Sequence, residues 1–403
     1  MSLQSELETL ATFTDAPPPA VTRVVYSATD LRAREYVKGL CSAAGLSIHE
    51  DGVGNIFARW QGADPGLPAV ATGSHIDAIP NAGAYDGTVG VLGGLEAIRM
   101  LQRAGARPRR SIELVIFCAE EPTRFGIGCF GSRLLAGSLD PAALRDSDGR
   151  TLDDWRFAAG FHGDVSQVRL PAGHYSAFVE LHIEQGPLLE QSGTPLGIVT
   201  AIAAPASLRL WVEGEGGHAG AVLMPQRCDA FCAAAEIVLA EEAAAKATGA
   251  IDTVATAGIC EVFPGAINSI PSRVRLELDV RDIDEARRDR VLAAIDHACK
   301  EVAARRGVTV RKETINSDAP AHCAPLVIDA LTRAAEGCGL AYRKMVSRAY
   351  HDSLFISRIA PTGMLFIPCR NGVSHRPDEY AAPEAIASGA RVLSKTLALL
   401  ADL

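Results

Sequence analysis

The stretch PAVATGSHIDAIPNAGAYDGTVGVLGGLEAIRML, residues 68–101, decides the fold class of this chain. Its first part, 68–75, is an apolar run that predicts a strand. From residue 87 onwards the apolar side chains recur every three or four positions, which predicts a helix with one apolar face. A second short apolar run, 112–118, is typical of a strand buried in a sheet. This alternation of strand and helix favours an α/β sheet with helices on its faces.

The middle of the chain follows a different pattern. Between residues 207 and 321 the predicted order is strand, helix, strand, strand, helix, strand, which is typical of a ferredoxin-like unit. Its clearest strand alternates apolar and charged residues from Val274 to Arg281. Patterns of the first kind resume after it. We therefore predict a catalytic α/β domain formed by residues 1–206 and 322–403, with a smaller α+β domain inserted at 207–321.

Length and composition limit the class of protein. The chain has 403 residues, 48% of them hydrophobic and 22% charged, which is ordinary for a globular enzyme. The net charge of −9 argues against nucleic acid as a partner, and no run of eighteen apolar residues predicts a membrane span. The N-terminal segment lacks the pattern of a signal peptide, and the ten cysteines are scattered without a CxxC pair. We expect a cytoplasmic protein whose metal ligands, if any, are His and carboxylate groups.

Five segments place imidazole or carboxylate groups near the ends of predicted strands, where active sites of open α/β sheets lie. They are SHID at 74–77, YDG at 85–87, EEP at 120–122, ELHIEQG at 180–186 and SHRP at 374–377. Such a set, without thiolates, suits Zn²⁺, Mn²⁺ or Co²⁺, and two ions sharing a carboxylate could activate a water. Adjacent Glu120 and Glu121 suit a division into general base and metal ligand. Asp77 could fix the ring of His75.

Other catalytic motifs do not fit. The sequence contains neither the HExxH of one-helix zinc peptidases nor the GxSxG of a serine nucleophile. The residues His182 to Glu184 match the HxE of zinc deaminases, but the PCxxC that should accompany them is absent. The glycine-rich stretch 214–220 does not keep the GxGxxG spacing of a dinucleotide-binding loop.

Seven motifs carry a family resemblance: GSHIDAIPNAGAYDG, EEPTRFG, ELHIEQGPLLE, GGHAG, NSIP at 268–271, DVRD and SHRPDEY. The sequence resembles the amidase, hydantoinase and carbamoylase group of the di-metal aminoacylase-like hydrolases, from about residue 30 to the end. The resemblance implies a di-metal peptidase-like catalytic domain with an inserted ferredoxin-like domain for dimerisation and lid closure. It also implies an amidohydrolase that cleaves linear C–N bonds.

Several stretches depart from the carbamoylase pattern, among them AIPNAG at 78–83, AVLMP at 221–225 and SRAYHDSLF around His351. They look closest to members that act on ureidoglycolate, and the expected products are glyoxylate, ammonia and carbon dioxide. Hydrolysis of an N-carbamoyl-L-amino acid or of allantoate is the alternative within the class. A catalytically silent binding or dimer scaffold is the alternative outside it.

The resemblance also implies a ligand set. One metal ion would be held by His75, Asp86 and His182, and the other by Asp86, Glu121 and His375, with Asp86 bridging. Two divalent ions per subunit are expected, Mn²⁺ favoured and Zn²⁺ possible. Glu120 would be the general base and acid.

The remaining implied site residues concern the substrate and the partner subunit. His218 would reach the active site of the other subunit of a homodimer and donate to the developing oxyanion. Substrate would be bound by Gln185, His218, Asn268, Arg281 and His351. The residues alone leave other interpretations open: a surface ion pair of Arg281 with Asp279 or Asp282, a turn at Asn268, and a local pair of His351 with Asp352.

Overall fold

The structure is a computed structural model that describes residues 2–403. The chain forms two compact units. One comprises the residues up to Thr200 together with His322–Leu403, and the other comprises Ala201–Ala321. The inserted unit starts before the predicted residue 207 because its first strand already begins at Ala204. Ala204 and Ala206 are buried in this strand. Their side chains are too small to mark the start of the strand in the sequence pattern.

The elements are numbered here in chain order. The helices are α1 (Leu3–Ala11), α2 (Ala28–Ala43), α3 (Thr88–Arg103), α4 (Phe130–Leu135), α5 (Leu152–Ala158), α6 (Leu188–Ser192), α7 (Ala230–Ala247), α8 (Glu285–Arg306), α9 (Pro325–Gly337), α10 (Asp352–Ile356) and α11 (Pro383–Leu400). The strands are β1 (Val21–Arg23), β2 (Ser47–Glu50), β3 (Ile56–Trp60), β4 (Ala69–His75), β5 (Ala78–Ala82), β6 (Ile112–Phe117), β7 (Tyr175–Ile183), β8 (Gly197–Ile202), β9 (Ala204–Glu213), β10 (Gly217–His218), β11 (Val254–Phe263), β12 (Ser269–Ile270), β13 (Arg273–Asp282), β14 (Thr309–Ser317), β15 (Ala321–His322), β16 (Arg343–Ser347) and β17 (Thr362–Ile367). No helix of the described part of the chain has the length and apolar character needed to cross a membrane.

The first unit is built on a mixed sheet with a parallel centre. Strands β17, β7, β4 and β6 are parallel neighbours in that order. On one side β8 is antiparallel to β17. On the other side β3 is antiparallel to β6, and β2 is antiparallel to β3. Because the central strands are parallel, their carboxyl ends meet at one edge of the sheet.

Both faces of this sheet are covered, as the continuous apolar runs predict. In β6, Leu114 and Ile116 belong to the core shared with α3 and α11, whereas Val115 and Phe117 belong to a second core with α4. Helix α3 approaches the sheet so closely that a Cβ on Gly90 would lie 2.4 Å from the carbonyl oxygen of Leu181. The predicted α/β fold is confirmed.

The inserted unit has the strand order β11-β13-β9-β14, and each neighbouring pair is antiparallel. Its chain order, strand, helix, strand, strand, helix, strand, is that of a ferredoxin-like unit. The alternating residues of β13 bury one face, which forms a core with α7 and α8. The buried residues of that face are Val274, Leu276, Leu278 and Val280.

Candidate metal centre

Asp86 is the meeting point of two groups of possible metal ligands. Its Oδ1 lies 3.4 Å from Nε2 of His75 and 3.1 Å from Nε2 of His182. Its Oδ2 lies 3.4 Å from Nε2 of His375, which is also 3.4 Å from Oε1 of Glu121. Within each group, His75–Asp86–His182 and Asp86–Glu121–His375, one ligand atom per residue lies within 4.8 Å of the others. These groups have the composition of the two ligand sets that the resemblance implies.

The sheet edge brings these side chains together. His75 is the last residue of β4, His182 is the last but one of β7, and Glu120 and Glu121 follow β6 closely. The turn before Glu120 places Ala119 in the left-handed region with φ of 54°. That conformation is unfavourable in free energy for any residue other than glycine. Backbone strain of this kind concentrates at functional sites.

Gly87 allows the segment that carries Asp86 to reach this edge. Its φ is 65°, and a Cβ there would lie 2.5 Å from the imidazole of His75. A side chain at this position would therefore be strained and would also overlap a ligand ring. Glycine is the residue that satisfies both requirements.

The histidine rings are oriented by main-chain oxygens. Nδ1 of His75 lies 3.1 Å from the carbonyl oxygen of Asp77, and Nδ1 of His182 lies 2.9 Å from that of Ile183. Each Nδ1–H therefore donates to a carbonyl, which directs Nε2 towards Asp86. The carboxylate of Asp77 accepts hydrogen bonds from the backbone N–H groups of Glu120 at 3.1 Å and Glu121 at 3.0 Å. The predicted role of Asp77 is thus divided between its carbonyl, which holds the ring, and its carboxylate, which holds the adjacent glutamates.

The crowding of carboxylates shapes the electrostatics. Burial, reinforced by Glu121, raises the pKa of Glu120 well above its ordinary value. Burial and the nearby Asp86 raise the pKa of Glu121 to about 7. Burial opposes the charge of Asp86, but the imidazoles, that of His182 first, outweigh it and hold its pKa well below the usual range. A site where neighbouring acids have divergent pKa values is typical of acid–base chemistry, and a bound cation would further favour the charged carboxylates.

Two of the predicted substrate-binding residues lie beside these ligand groups. The Nε2 of Gln185 donates to Oδ2 of Asp86 at 2.5 Å, and its buried Oε1 has no hydrogen-bond partner among residues 2–403. His351 is buried, with its ring centre 4.6 Å from that of His182 and its Nε2 2.9 Å from Oγ of Ser347. Burial lowers the pKa of His351 well below its ordinary value, so its imidazole is neutral.

The other three predicted residues belong to the inserted unit. His218 lies in β10 opposite Ser269 of β12, and the N–H of Ala219 donates to the carbonyl oxygen of Asn268 at 2.9 Å. His218 and Asn268 are therefore neighbours on one short ribbon. Arg281 lies in β13 and donates through Nε to Oδ1 of Asp279 at 2.7 Å. This is one of the ion pairs that the sequence left open.

Sequence reasoning missed two acids that support the site. Glu180, inside β7, accepts through Oε1 from Oγ of Ser74 at 2.7 Å and through Oε2 from Oγ of Ser353 at 2.6 Å. The ligand-type atoms of Glu180, His182 and His351 also lie close together. The sequence did mark Glu180, because it is an acidic residue inside the apolar stretch FVELHI at 178–183. Glu379, in the SHRPDEY motif, accepts from the backbone N–H groups of Tyr85 and Asp86.

Comparison with known proteins shows the family to which this chain belongs. Residues 71–399 match Peptidase family M20/M25/M40. The chain belongs to that family. This M20 member is therefore a hydrolase of carbon–nitrogen bonds, and the predicted resemblance is confirmed.

Similar proteins include several amidohydrolases. Ureidoglycolate hydrolase of Arabidopsis thaliana is 55% identical in an alignment that covers 99% of this chain and 86% of that protein. N-carbamoyl-L-amino acid amidohydrolase of Geobacillus stearothermophilus is 39% identical over 96% of this chain and 95% of its own length. The solved structure of AtUAH in complex with glyoxylate superposes with a TM-score of 0.91 and 54% identity, covering 100% of this chain and 97% of that one.

Proposed function

We propose that this M20 member hydrolyses ureidoglycolate, using two divalent metal ions per subunit. The observation that supports it best is the pair of ligand groups joined at Asp86. They occur in a chain 55% identical to a ureidoglycolate hydrolase and similar throughout to a structure solved with glyoxylate.

The reaction begins at the terminal amide of the ureido group. Water adds to the ureido carbonyl, the terminal C–N bond breaks, and ammonia leaves. The carbamate that remains loses carbon dioxide and becomes an α-hydroxy amine. That amine releases a second ammonia and yields glyoxylate.

The donor set fits the ions. Imidazole and carboxylate ligands without thiolate suit Mn²⁺, which we favour, and also Zn²⁺. His75, Asp86 and His182 would hold one ion, and Asp86, Glu121 and His375 the other. When bound, such ions polarise a carbonyl and lower the pKa of a water. A urea carbonyl requires this help because resonance makes it a poor electrophile.

Glu120 is the proposed proton carrier. Its Oε2 lies 3.7 Å from Nε2 of His75, beside the first ligand group, and it is buried. This position suits a group that accepts a proton from the attacking water and returns it to the leaving ammonia.

The substrate would be held by groups of both units. Gln185 and His351 lie beside the ligand groups and offer an amide and a neutral imidazole. In the inserted unit, His218 would stabilise the oxyanion and Asn268 would bind substrate, while the planar guanidinium of Arg281 would bind the substrate carboxylate. We propose that the inserted unit acts as lid and dimerisation domain of a homodimer, with His218 completing the partner's site.

The proposed location is the cytoplasm. All ten cysteines are free. Unpaired, largely buried cysteines are typical of proteins in reducing compartments.

Ammonia release by metal-stripped protein reloaded with Mn²⁺ tests the proposal. Ureidoglycolate, allantoate and an N-carbamoyl-L-amino acid are supplied side by side. We expect ureidoglycolate to be hydrolysed with the highest kcat/KM. Preference for the carbamoyl amino acid, the activity named for the Geobacillus relative, would overturn the substrate while leaving the metal centre in place. Protein that binds Mn²⁺ but hydrolyses none of the three would favour a silent binding scaffold.

A further inference from the structure

Glu379 is a buried carboxylate in an otherwise exposed loop. Only 5% of the residue is exposed, whereas Arg376, Pro377 and Asp378 before it are exposed to solvent. Burying a carboxylate costs free energy unless its oxygens are hydrogen-bonded. Its partners therefore indicate what the burial achieves.

Both oxygens of Glu379 point at the segments that carry possible metal ligands. Oε1 accepts from the backbone N–H of Tyr85 at 2.7 Å and from that of Asp86 at 3.0 Å. Oε2 accepts from Oγ of Ser374 at 2.8 Å, and the same hydroxyl lies 2.5 Å from Oδ2 of Asp86. One carboxylate thus joins the segment of Asp86 to that of Ser374 and His375, although they lie far apart in the sequence.

The surrounding chain leaves room for this contact. A Cβ on Gly83 would lie 2.3 Å from Cβ of Glu379 and 2.5 Å from its Oε1. A larger residue at 83 would displace the carboxylate. Among the described residues, Glu379 belongs to neither of the two ligand groups that contain Asp86.

We infer that Glu379 is a positioning residue that fixes the shared carboxylate of Asp86, and with it the ligand His375, for binding two divalent cations. The inference rests on the proposed function, since it assigns Glu379 a part in the same metal centre. Asp86 belongs to both ligand groups, so loosening it weakens the binding of both ions. Partners that orient metal ligands typically contribute about 10–100-fold in metal affinity.

The test is Mn²⁺ titration of metal-stripped protein, followed by calorimetry, with the variants Glu379→Gln and Glu113→Gln. Glu113 is the matched control. It is also buried, it is held by Arg59 and Tyr175, and it lies at the opposite end of β6 from Glu120. We expect Glu379→Gln to weaken both Mn²⁺ sites about 10–100-fold. Glu113→Gln should retain wild-type affinity, even if its unfolding midpoint falls.

Activity gives an independent readout. Turnover by Glu379→Gln should recover as the Mn²⁺ concentration is raised, because the substitution lowers the affinity for the cations and leaves the reacting groups intact. Wild-type affinity for two ions in Glu379→Gln would overturn the inference, and so would equal losses in Glu379→Gln and Glu113→Gln. If Glu379→Gln does not fold, Ser374→Ala removes one of the same links and should weaken Mn²⁺ binding to a smaller extent; unchanged affinity in that variant would also overturn the inference.

Mn²⁺ binding and ureidoglycolate hydrolysis by the wild-type protein distinguish a failure of this inference from a failure of the proposed function. Wild-type protein that binds Mn²⁺ without hydrolysing ureidoglycolate would refute the substrate but leave the role of Glu379 supported by the titration. Wild-type protein that binds no divalent cation would overturn both.

Discussion

The side-chain nitrogen of Gln185 donates to Oδ2 of Asp86, with 2.5 Å between the two atoms. A carboxylate without its proton can only accept, so this contact fixes which end of the amide faces Asp86. The amide oxygen of Gln185 must face the other way. It is therefore available to accept a hydrogen bond from an N–H group, such as those of a ureido substrate.

Replacing Gln185 by Ala tests that orientation. The variant loses both the bond to Asp86 and the acceptor for substrate N–H, and hydrogen bonds to charged groups contribute about 1.5–3 kcal/mol. We expect kcat/KM for ureidoglycolate to fall roughly 10–100-fold, measured by ammonia release. At saturating Mn²⁺, the amount of bound metal measured on the same sample by atomic absorption should reach the wild-type value, although the loss of the bond to Asp86 should lower the affinity. An unchanged kcat/KM would contradict the orientation.

Replacing Glu120 by Gln separates chemistry from metal binding. The amide has nearly the same size but cannot accept the proton of the attacking water, and general acid–base catalysis contributes about 10²–10⁴-fold. We expect kcat to fall by about that factor, while Mn²⁺ content and the unfolding midpoint stay near wild type. Substantial turnover in this variant would remove Glu120 from its proposed role.

Gly87 offers a matched pair with Gly105. Both have positive φ, 65° and 71°, but a Cβ on Gly105 meets nothing within 4 Å, whereas one on Gly87 meets His75. Gly105→Ala should lose only the backbone preference, about 1–2 kcal/mol of stability by denaturant unfolding. Gly87→Ala should lose that and most Mn²⁺ affinity as well, because the ring of His75 must move. Equal metal affinity in the two variants would refute the steric argument.

Glu241 of α7 predicts a pH-dependent stability. Burial, assisted by the carboxylate of Asp279, raises its pKa from 4.5 to about 7, and its Oε1 is among the buried atoms without a partner in the described structure. Since the folded-state pKa is raised, the stabilisation is complete below about pH 4.5 and is lost as the pH rises through 7.

Glu241→Gln keeps the neutral form at every pH. At pH 8 we expect its unfolding midpoint about 1 °C above wild type, which corresponds to roughly 1 kcal/mol in a chain of 403 residues. At pH 5 the difference should largely disappear. Glu242→Gln, an exposed neighbour paired with Lys246, is the control and should show no such pH dependence. Equal midpoints of Glu241→Gln and wild type at pH 8 would contradict the prediction.

The sequence predicts the parts of this fold whose signals are local. Helix α11, Pro383–Leu400, has such a signal, because Pro383 can begin a helix and the apolar period continues to Leu400. The order of elements in the inserted unit also follows from its apolar alternation. Strand patterns place His75 and His182 at the ends of buried strands, and parallel strands bring those ends together. The assignment of Asp86 and His375 to the ligand set rested on the family resemblance.

What escaped prediction depends on contacts between distant segments. Nδ1 of His75 is hydrogen-bonded to the carbonyl oxygen of Asp77 and lies 3.6 Å from its carboxylate Oδ1, and the backbone geometry of the turn sets both distances. Glu379 lies in the SHRPDEY motif, but nothing local predicted its burial, because an acid in a polar loop is ordinarily exposed. Its burial depends on Tyr85 and Asp86, almost three hundred positions earlier in the chain.

The position of β17 has a consequence for how the protein is made. This strand, Thr362–Ile367, lies between β7 and β8 in the sheet, although both are synthesised long before it. A nascent chain that has just completed the inserted unit already contains His75, Asp86 and His182, but its sheet still lacks an inner strand and its second ligand group lacks His375. Only a chain translated past His375 can assemble both ligand groups, so products that terminate before β17 would be left with an incomplete sheet and no second cation site.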